Sequence, residues 1–182
     1  MLESSHLSLY TEDKITLSIE DIRQRQEERM RTHIEAPQQI KPEGLSDYLE
    51  VMSKAAFQAG ISWQVVENKW PGTKEAFDNF DPAVIAKYSG TKMADLLEDD
   101  RVIRNHLKLE AVVFNARRML ELDKQYKGFK KYLRSFGSYE ELVKDLRKNF
   151  KFLGEMGAYY FLYVVGEKVP DWEEWSRQHF AK

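Results

Sequence analysis

The chain has 182 residues and no cysteine, with 42% hydrophobic residues, 32% charged residues and a formal net charge of −2. This length is sufficient for one domain with a substantial core, and the lack of cysteine excludes disulfide scaffolds and thiolate metal sites. The sequence shows no secretory signal and no apolar run of about 18 residues, so we expect a cytoplasmic protein without a membrane span.

Basic residues are concentrated in one part of the chain. Residues 101–151 contain 14 Lys/Arg and 6 Asp/Glu, a local charge of +8, whereas the remainder carries −10. Such asymmetry predicts a face that attracts a polyanion. A pair of solvated, lysine-rich helices explains the same counts equally well.

The first 44 residues are predicted to form an N-terminal extension. Ser18 and Asp21 resemble the capping start of a polar helix over residues 19–36. Because this helix has few apolar positions, it suits the protein surface or a contact with a protein partner. The proline-bracketed segment PQQIKP follows, and we place the domain boundary between residues 44 and 45.

A firm helical pattern begins at Leu45. Small and apolar residues recur at three- and four-residue spacing and lead into Gly60, which fits the position after a helix end. Ser62 can cap the next helix, and Trp63 then stands at its terminus. The segment FQAGISW is therefore either a helix–turn–helix corner with a core tryptophan or the wall of a pocket for a flat ligand.

Only helices are predicted in the rest of the chain. Short helices are expected at 63–69, 73–80, 82–88 and 92–97, with a Pro71-Gly72 turn between the first two. The longest helix should run from about Asn105 to Tyr126, before helices at 128–136, 139–149, 158–165 and 172–180. The apolar run 158–165 has no second strand to pair with, so the predicted fold is all-α.

Two features of the basic region bear on binding. The turn KFLGEMG, residues 151–157, carries two glycines and precedes a helix, whose N-terminal N–H groups can bind a phosphate oxygen. Lys148 and Lys151 flank this turn, although a plain helix–turn–helix gives the same pattern. Asn115 lies near the apolar face of the longest helix, so we expect it to hydrogen-bond a neighbouring loop. The four histidines lack metal-ligand spacing, and no metal or cofactor is expected.

Four segments, in order, carry a family resemblance: FQAGISW, KWPGTKEAFDNFDP, VIRNHLKLEAVVFNARR and FKFLGEMGAYYF. They resemble the bacterial 3-methyladenine DNA glycosylase I family of the helix-hairpin-helix glycosylase superfamily, from about Leu45 to Asp171. The resemblance implies an all-α fold whose hairpin, KFLG here, grips the DNA backbone while a damaged base is flipped into a pocket. The substrate-binding residues it implies are Gln58, Ser62 and Trp63, with Trp63 as the stacking wall. The expected DNA contacts are Arg104, Lys108, Lys148, Lys151, Gly154 and Gly157.

The chain also departs from the family pattern. Ala55 stands where the family has a base-reading glutamate, and Trp70 stands where an arginine is usual. Trp172 follows Asp171 where a zinc-ligating histidine is expected, and the family's N-terminal segment is missing. Asp171 matches the region of a catalytic aspartate in wider relatives, but a helix cap is the favoured interpretation.

The expected function is that of a divergent DNA repair glycosylase. It would hydrolyse the N-glycosidic bond of alkylated purines such as 3-methyladenine in double-stranded DNA, with no catalytic residue assigned. One alternative is a catalytically inactive relative that binds DNA or recognises damage, which the loss of the carboxylate at position 55 favours. Another is a protein-interaction scaffold that uses the helix at 19–36. Whether another carboxylate, such as Glu50, replaces the missing one stays open.

Overall fold

A computed structural model describes residues 37–175. The predicted polar helix at 19–36, and the end of the last predicted helix, lie outside the described residues. From Gln38 onward the described chain forms one compact unit. Within residues 37–175 all regular structure is helical and no strand occurs, which confirms the all-α prediction. No helix in this part of the chain is long and apolar enough to span a membrane.

The helices are numbered here along the chain. They are α1 (Leu45–Gln58), α2 (Trp63–Ala76), α3 (Pro82–Ile85), α4 (Gly90–Glu98), α5 (His106–Tyr126), α6 (Phe129–Leu133), α7 (Tyr139–Asn149) and α8 (Glu155–Val164). A 3-10 turn, Asp78–Phe80, follows α2, and a further helix begins at residue 172.

Helix α1 lies at the centre of the packing, in contact with α2, α5 and α8. Its apolar stripe is buried, with Leu49, Met52 and Phe57 completely inaccessible to solvent. The helix ends as predicted, because Gly60 adopts a φ of 85°, a conformation that costs glycine little. The chain then turns directly into α2, so the end of α1 and the start of α2 form one corner of the molecule.

Several helix starts are stabilised by the side chains that the sequence predicted. Asp81 accepts a hydrogen bond from the backbone N–H of Ala83 at 2.8 Å, and Ser138 accepts one from Glu141 at 3.2 Å. The Glu141 carboxylate reaches back to the N–H of Gly137 at 3.0 Å. These bonds satisfy N–H groups that a helix leaves unpaired at its start.

The predicted turn at Pro71-Gly72 is wrong, because α2 continues through both residues. Trp70, on one side, is buried and stacks on Phe80 with ring centroids 5.3 Å apart. Packing of this kind outweighs the roughly 3 kcal/mol that a proline costs inside a helix. Gly72 allows the segment that contains Arg101 to approach α2 closely, since a Cβ at this position would lie 2.9 Å from the Cβ of Arg101.

The apolar run near the C-terminus is the buried helix α8, as predicted. The linker segment packs against its end: the N–H of Ile40 donates to the carbonyl of Val164 at 2.8 Å, and the Gln39 side chain donates to the carbonyl of Tyr163 at 3.0 Å. These bonds satisfy carbonyls that a helix leaves unpaired at its C-terminus. The predicted domain boundary between residues 44 and 45 stays a prediction.

Candidate functional site

Gln58, the last residue of α1, carries a buried amide that is not satisfied. Its side chain is 8% exposed, and neither its oxygen nor its nitrogen has a hydrogen-bond partner among the described residues. An unpaired buried polar group costs about 1–3 kcal/mol. Such a group is expected where a ligand completes the hydrogen bonding.

Two aromatic residues lie beside Gln58. Trp63, the first residue of α2, is 47% exposed, and its indole contacts the ring of Tyr160 edge-on, with centroids 5.4 Å apart at 86°. Burial raises the pKa of the Tyr160 hydroxyl, and the nearby Glu67 carboxylate raises it further. The Gln58 amide acts in the opposite direction, so it lies near this hydroxyl although outside hydrogen-bonding geometry. An amide, an indole and a phenol thus converge at one corner.

Tyr160 is a site residue that the sequence interpretation missed. It lies within the run AYYFLYVV, which indicated only a buried helix. Its relevance comes from the packing of α8 against α1 and from its contact with Trp63, and neither is visible in a local pattern. The signal that was available is the family motif, because FQAGISW and KFLGEMGAYYF both carry the resemblance.

Small residues let α1 and α8 approach each other beside this corner. A Cβ at Gly157 would lie 3.8 Å from the Cβ of Ala55, which is itself buried. Gly157, predicted to contact DNA, is therefore half-buried within the first turn of α8 and packs against α1. Ser62 is exposed at the N-cap position of α2 but makes no side-chain capping bond, contrary to the expected cap.

Lys108 differs from the DNA contact that the sequence predicted. It is 4% exposed, and its ammonium donates to the carbonyls of Ala56 and Ala59 at 2.6 and 2.7 Å. These carbonyls lie at the C-terminal end of α1, where a cation is favourable. The ring of Phe152 lies 4.6 Å from the same ammonium, and burial lowers its pKa. Lys108 therefore stabilises the end of α1 from inside the protein.

The turn between α7 and α8 is anchored to α5 by Asn115. The Asn115 side chain donates to the carbonyl of Lys151 at 3.1 Å and accepts from the N–H of Lys151 at 2.8 Å. This pair confirms the prediction that Asn115 hydrogen-bonds a neighbouring loop. Phe152 has a φ of 56°, uncommon for a residue with a side chain, and is 41% exposed at the tip.

The outer face of this turn is open and basic. A Cβ at Gly154, the N-cap residue of α8, would meet no atom within 4 Å. Arg104, Lys148 and Lys151 are all exposed, and none has a carboxylate partner within residues 37–175. The Lys151 ammonium lies 4.5 Å from the ring of Phe114. The first turn of α8 is thus accessible to solvent, and the exposed side chains of Lys148 and Lys151 precede it in the chain.

Glu50 and Asp171, the two carboxylates considered as possible functional groups, form hydrogen bonds with other parts of the protein. The Glu50 carboxylate accepts from the indole N–H of Trp70 at 3.0 Å and from Lys74 at 2.7 Å, which leaves it tied to α2. Asp171 accepts from the N–H groups of Glu173 and Glu174 at 2.9 and 3.1 Å, as the favoured capping interpretation predicted. Among the described residues, no group of three or more His, Cys, Asp or Glu side chains could bind a metal ion.

Comparison with solved structures identifies the fold class as that of an all-helical DNA glycosylase. The 3-methyladenine DNA glycosylase I of Staphylococcus aureus superposes with a TM-score of 0.64 at 24% identity, over 71% of this chain and 80% of that protein. At this level of identity the likeness concerns the fold alone.

The sequence comparisons narrow the class to one family. The model of the methyladenine glycosylase family matches residues 42–149. A DNA-3-methyladenine glycosylase of Haemophilus influenzae is 30% identical over 130 residues, which cover 60% of this chain and 70% of the relative. DNA-3-methyladenine glycosylase 1 of Escherichia coli is 28% identical with the same coverage. The chain therefore belongs to the methyladenine glycosylase family, as its motifs predicted.

Proposed function

We propose that this protein is a DNA base-excision repair glycosylase that hydrolyses the N-glycosidic bond of alkylated purines such as 3-methyladenine. The observation that carries the proposal is the corner formed by Gln58, Trp63 and Tyr160, where Tyr160 lies near a buried, unpaired amide and contacts a half-exposed indole. Family membership supports the same activity, because the relatives are DNA-3-methyladenine glycosylases. The cytoplasm is the proposed location.

The corner suits a flat, electron-poor base. The exposed face of Trp63 can stack on a base that has left the duplex, and base flipping costs least for a damaged nucleotide. In DNA, 3-methyladenine is cationic, and attraction of a cation to an aromatic face is worth about 0.5–2 kcal/mol. The site therefore favours an alkylated purine over a normal, neutral one.

The α7–α8 hairpin suits the DNA backbone. Asn115 fixes the turn, and the uncovered N–H groups at the start of α8 can bind phosphate oxygens beside Lys148 and Lys151. Glu155 places a negative charge in the same helical turn, and Arg147, 3.9 Å away, offsets part of it. Because phosphate contacts release counterions, DNA affinity should fall steeply with salt.

Hydrolysis of the N-glycosidic bond requires little acid–base catalysis when the base is cationic. Water adds to the sugar carbon C1′, the bond from C1′ to the base nitrogen breaks, and the base leaves with the electron pair as a neutral molecule. The proton lost by the water passes to solvent or to a basic group. Since a cationic purine is a good leaving group, positioning and stacking supply much of the required catalysis.

Two other functions make different predictions. The absence of a carboxylate at position 55 favours a relative that binds damaged DNA without cleaving the glycosidic bond. A scaffold that recruits a protein partner through residues 19–36 would need neither DNA affinity nor base release.

The test measures both properties on one substrate. Duplex DNA treated with a methylating agent is incubated with the wild-type protein, and the free bases are quantified by chromatography. DNA affinity is measured on the same substrate between about 50 and 200 mM salt. Over this range the affinity should drop roughly a thousandfold if about six phosphates are contacted. Release of alkylated purine establishes the glycosylase. Salt-dependent binding without release indicates a damage reader, and absence of both indicates the scaffold.

A further inference from the structure

The corner contains a second polar group that family membership does not assign, the hydroxyl of Tyr160. Its ring contacts the half-exposed indole of Trp63 at a near-perpendicular angle, with centroids 5.4 Å apart, so Tyr160 borders the surface on which a base would stack. It also lies near the unpaired Gln58 amide. Tyr160 is therefore the residue from α8 that closes the corner formed by α1 and α2.

The neighbourhood of Tyr160 contains little negative charge. Ala55, which is buried in α1 and packs near Gly157 of α8, brings no charge to this part of the interface. Glu67 is the carboxylate that acts on Tyr160, but it is paired with Lys54 at 2.8 Å and is half exposed. A tyrosine hydroxyl is protonated at neutral pH and can donate a hydrogen bond, and burial raises the pKa of Tyr160 further.

We propose that Tyr160 is a specificity-determining residue whose hydroxyl donates a hydrogen bond to the ring nitrogen N7 of the flipped purine. The Gln58 amide accepts from the exocyclic amine beside that nitrogen, so a neutral phenol–amide pair reads the adenine edge. The N6 and N7 edge of adenine is commonly recognised by a Gln or Asn amide that accepts from N6 and donates to N7, and here the Tyr160 hydroxyl takes the donor role at N7. The inference rests on the proposed function, and it identifies how a site with Ala55 still recognises adenine.

The hydrogen bond can be tested without DNA. Binding of free 3-methyladenine, and of its 7-deaza analogue that lacks the acceptor nitrogen, is measured by titration calorimetry for the wild type and for Tyr160→Phe. The substitution removes one oxygen and preserves the ring that packs on Trp63. Tyr163→Phe, three residues further along α8, is the matched control, because Tyr163 stacks on Tyr159 away from Trp63.

The four affinities form a thermodynamic cycle, in which the two changes are expected not to be additive. Loss of the hydroxyl and loss of the ring nitrogen should each weaken binding about tenfold, and the two together should weaken it no further, because they remove the same bond. Tyr163→Phe should bind both bases like the wild type. A purely structural role for Tyr160 would give losses that multiply to about a hundredfold.

Three outcomes overturn the inference. They are wild-type affinity in Tyr160→Phe, multiplying losses, and failure of the wild-type protein to bind 3-methyladenine at all. The proposed function would be refuted by a different result, the absence of base release from methylated DNA, so the two failures are distinguishable.

Discussion

At the scale of single residues, Asn115 links the turn between α7 and α8, the proposed DNA contact, to the longest helix. Its amide is 1% exposed and pairs with both backbone groups of Lys151. Because the turn makes this pair with α5, its conformation is set before any DNA arrives. A preorganised turn loses less conformational freedom on binding.

Replacing Asn115 by alanine should therefore weaken both folding and DNA binding. Loss of two buried hydrogen bonds should lower the free energy of unfolding by about 1–3 kcal/mol, measured by urea denaturation. Affinity for duplex DNA should fall as well, because the turn is released. Asn68→Ala, at an exposed position of α2, is the control, and an unchanged DNA affinity in Asn115→Ala would contradict the anchoring role.

Lys108 illustrates what residue-level patterns leave out. The charge count of residues 101–151 treats every basic side chain alike, whereas Lys108 points inward to the carbonyls at the end of α1. This contact of Lys108 depends on the packing of α5 beside α1, which is a feature of the tertiary structure. Asn115 was predictable because an amide near an apolar face needs a partner, whatever that partner is.

At the scale of elements, α2 shows how packing overrides a local signal. Proline followed by glycine is a turn signal, yet the buried residues Val66, Trp70 and Ala76 lie on both sides of Pro71 on one face of the helix. The helix boundaries predicted from capping residues, at Asp81, Ser138 and Gly60, were confirmed because these signals act within a few residues.

Replacing Gly72 in α2 by alanine should lower the stability of the protein, the opposite of the usual effect in a helix. Gly→Ala in a helix interior normally stabilises by roughly 0.5–1 kcal/mol. At Gly72 the new Cβ would lie 2.9 Å from the Cβ of Arg101, so the substitution should instead destabilise by about 1–3 kcal/mol. The measurement is the urea midpoint. Gly90→Ala, where a Cβ meets no atom within 4 Å, should be neutral, and a stabilised Gly72→Ala would refute this packing.

At the scale of the whole molecule, buried tyrosines determine how stability depends on alkaline pH. Burial, together with the hydrogen bond to Asp145 at 2.8 Å, raises the pKa of Tyr132 above its ordinary value of 10.0. Burial likewise raises the pKa of Tyr88, whose hydroxyl donates to Asp78. Such a group stabilises the fold below the pKa of the unfolded chain, and this stabilisation is lost as the pH rises beyond it.

The protein should therefore lose stability from about pH 10 upward. Between pH 10 and 11 each strongly raised tyrosine should contribute a loss of about 1 kcal/mol, because only the unfolded chain ionises. Lys108, with its lowered pKa, acts in the opposite direction. Urea denaturation across this range, with Tyr132→Phe for comparison, is the measurement. The variant should lose about 1 kcal/mol less, and an equal loss would contradict the account.

The fold class and the family followed from the sequence because both depend on patterns along the chain, helical spacing and ordered motifs. The geometry of the candidate site was predictable only in part. Gln58 and Trp63 lie within one motif, but Tyr160 joins them from about a hundred residues away through the packing of α8 on α1. The Lys108 and Gly157 interpretations changed for the same reason.

The most direct test of the central claim is base release by three proteins in parallel under single-turnover conditions. These are the wild type, Trp63→Ala and Val65→Ala, two substitutions of similarly exposed side chains in the first turn of α2. The account predicts that the wild type and Val65→Ala release 3-methyladenine from methylated duplex DNA. Trp63→Ala should be slower by about 5- to 150-fold, since a base–aromatic stack is worth about 1–3 kcal/mol. Equal rates for all three proteins would show that the base does not bind at this corner.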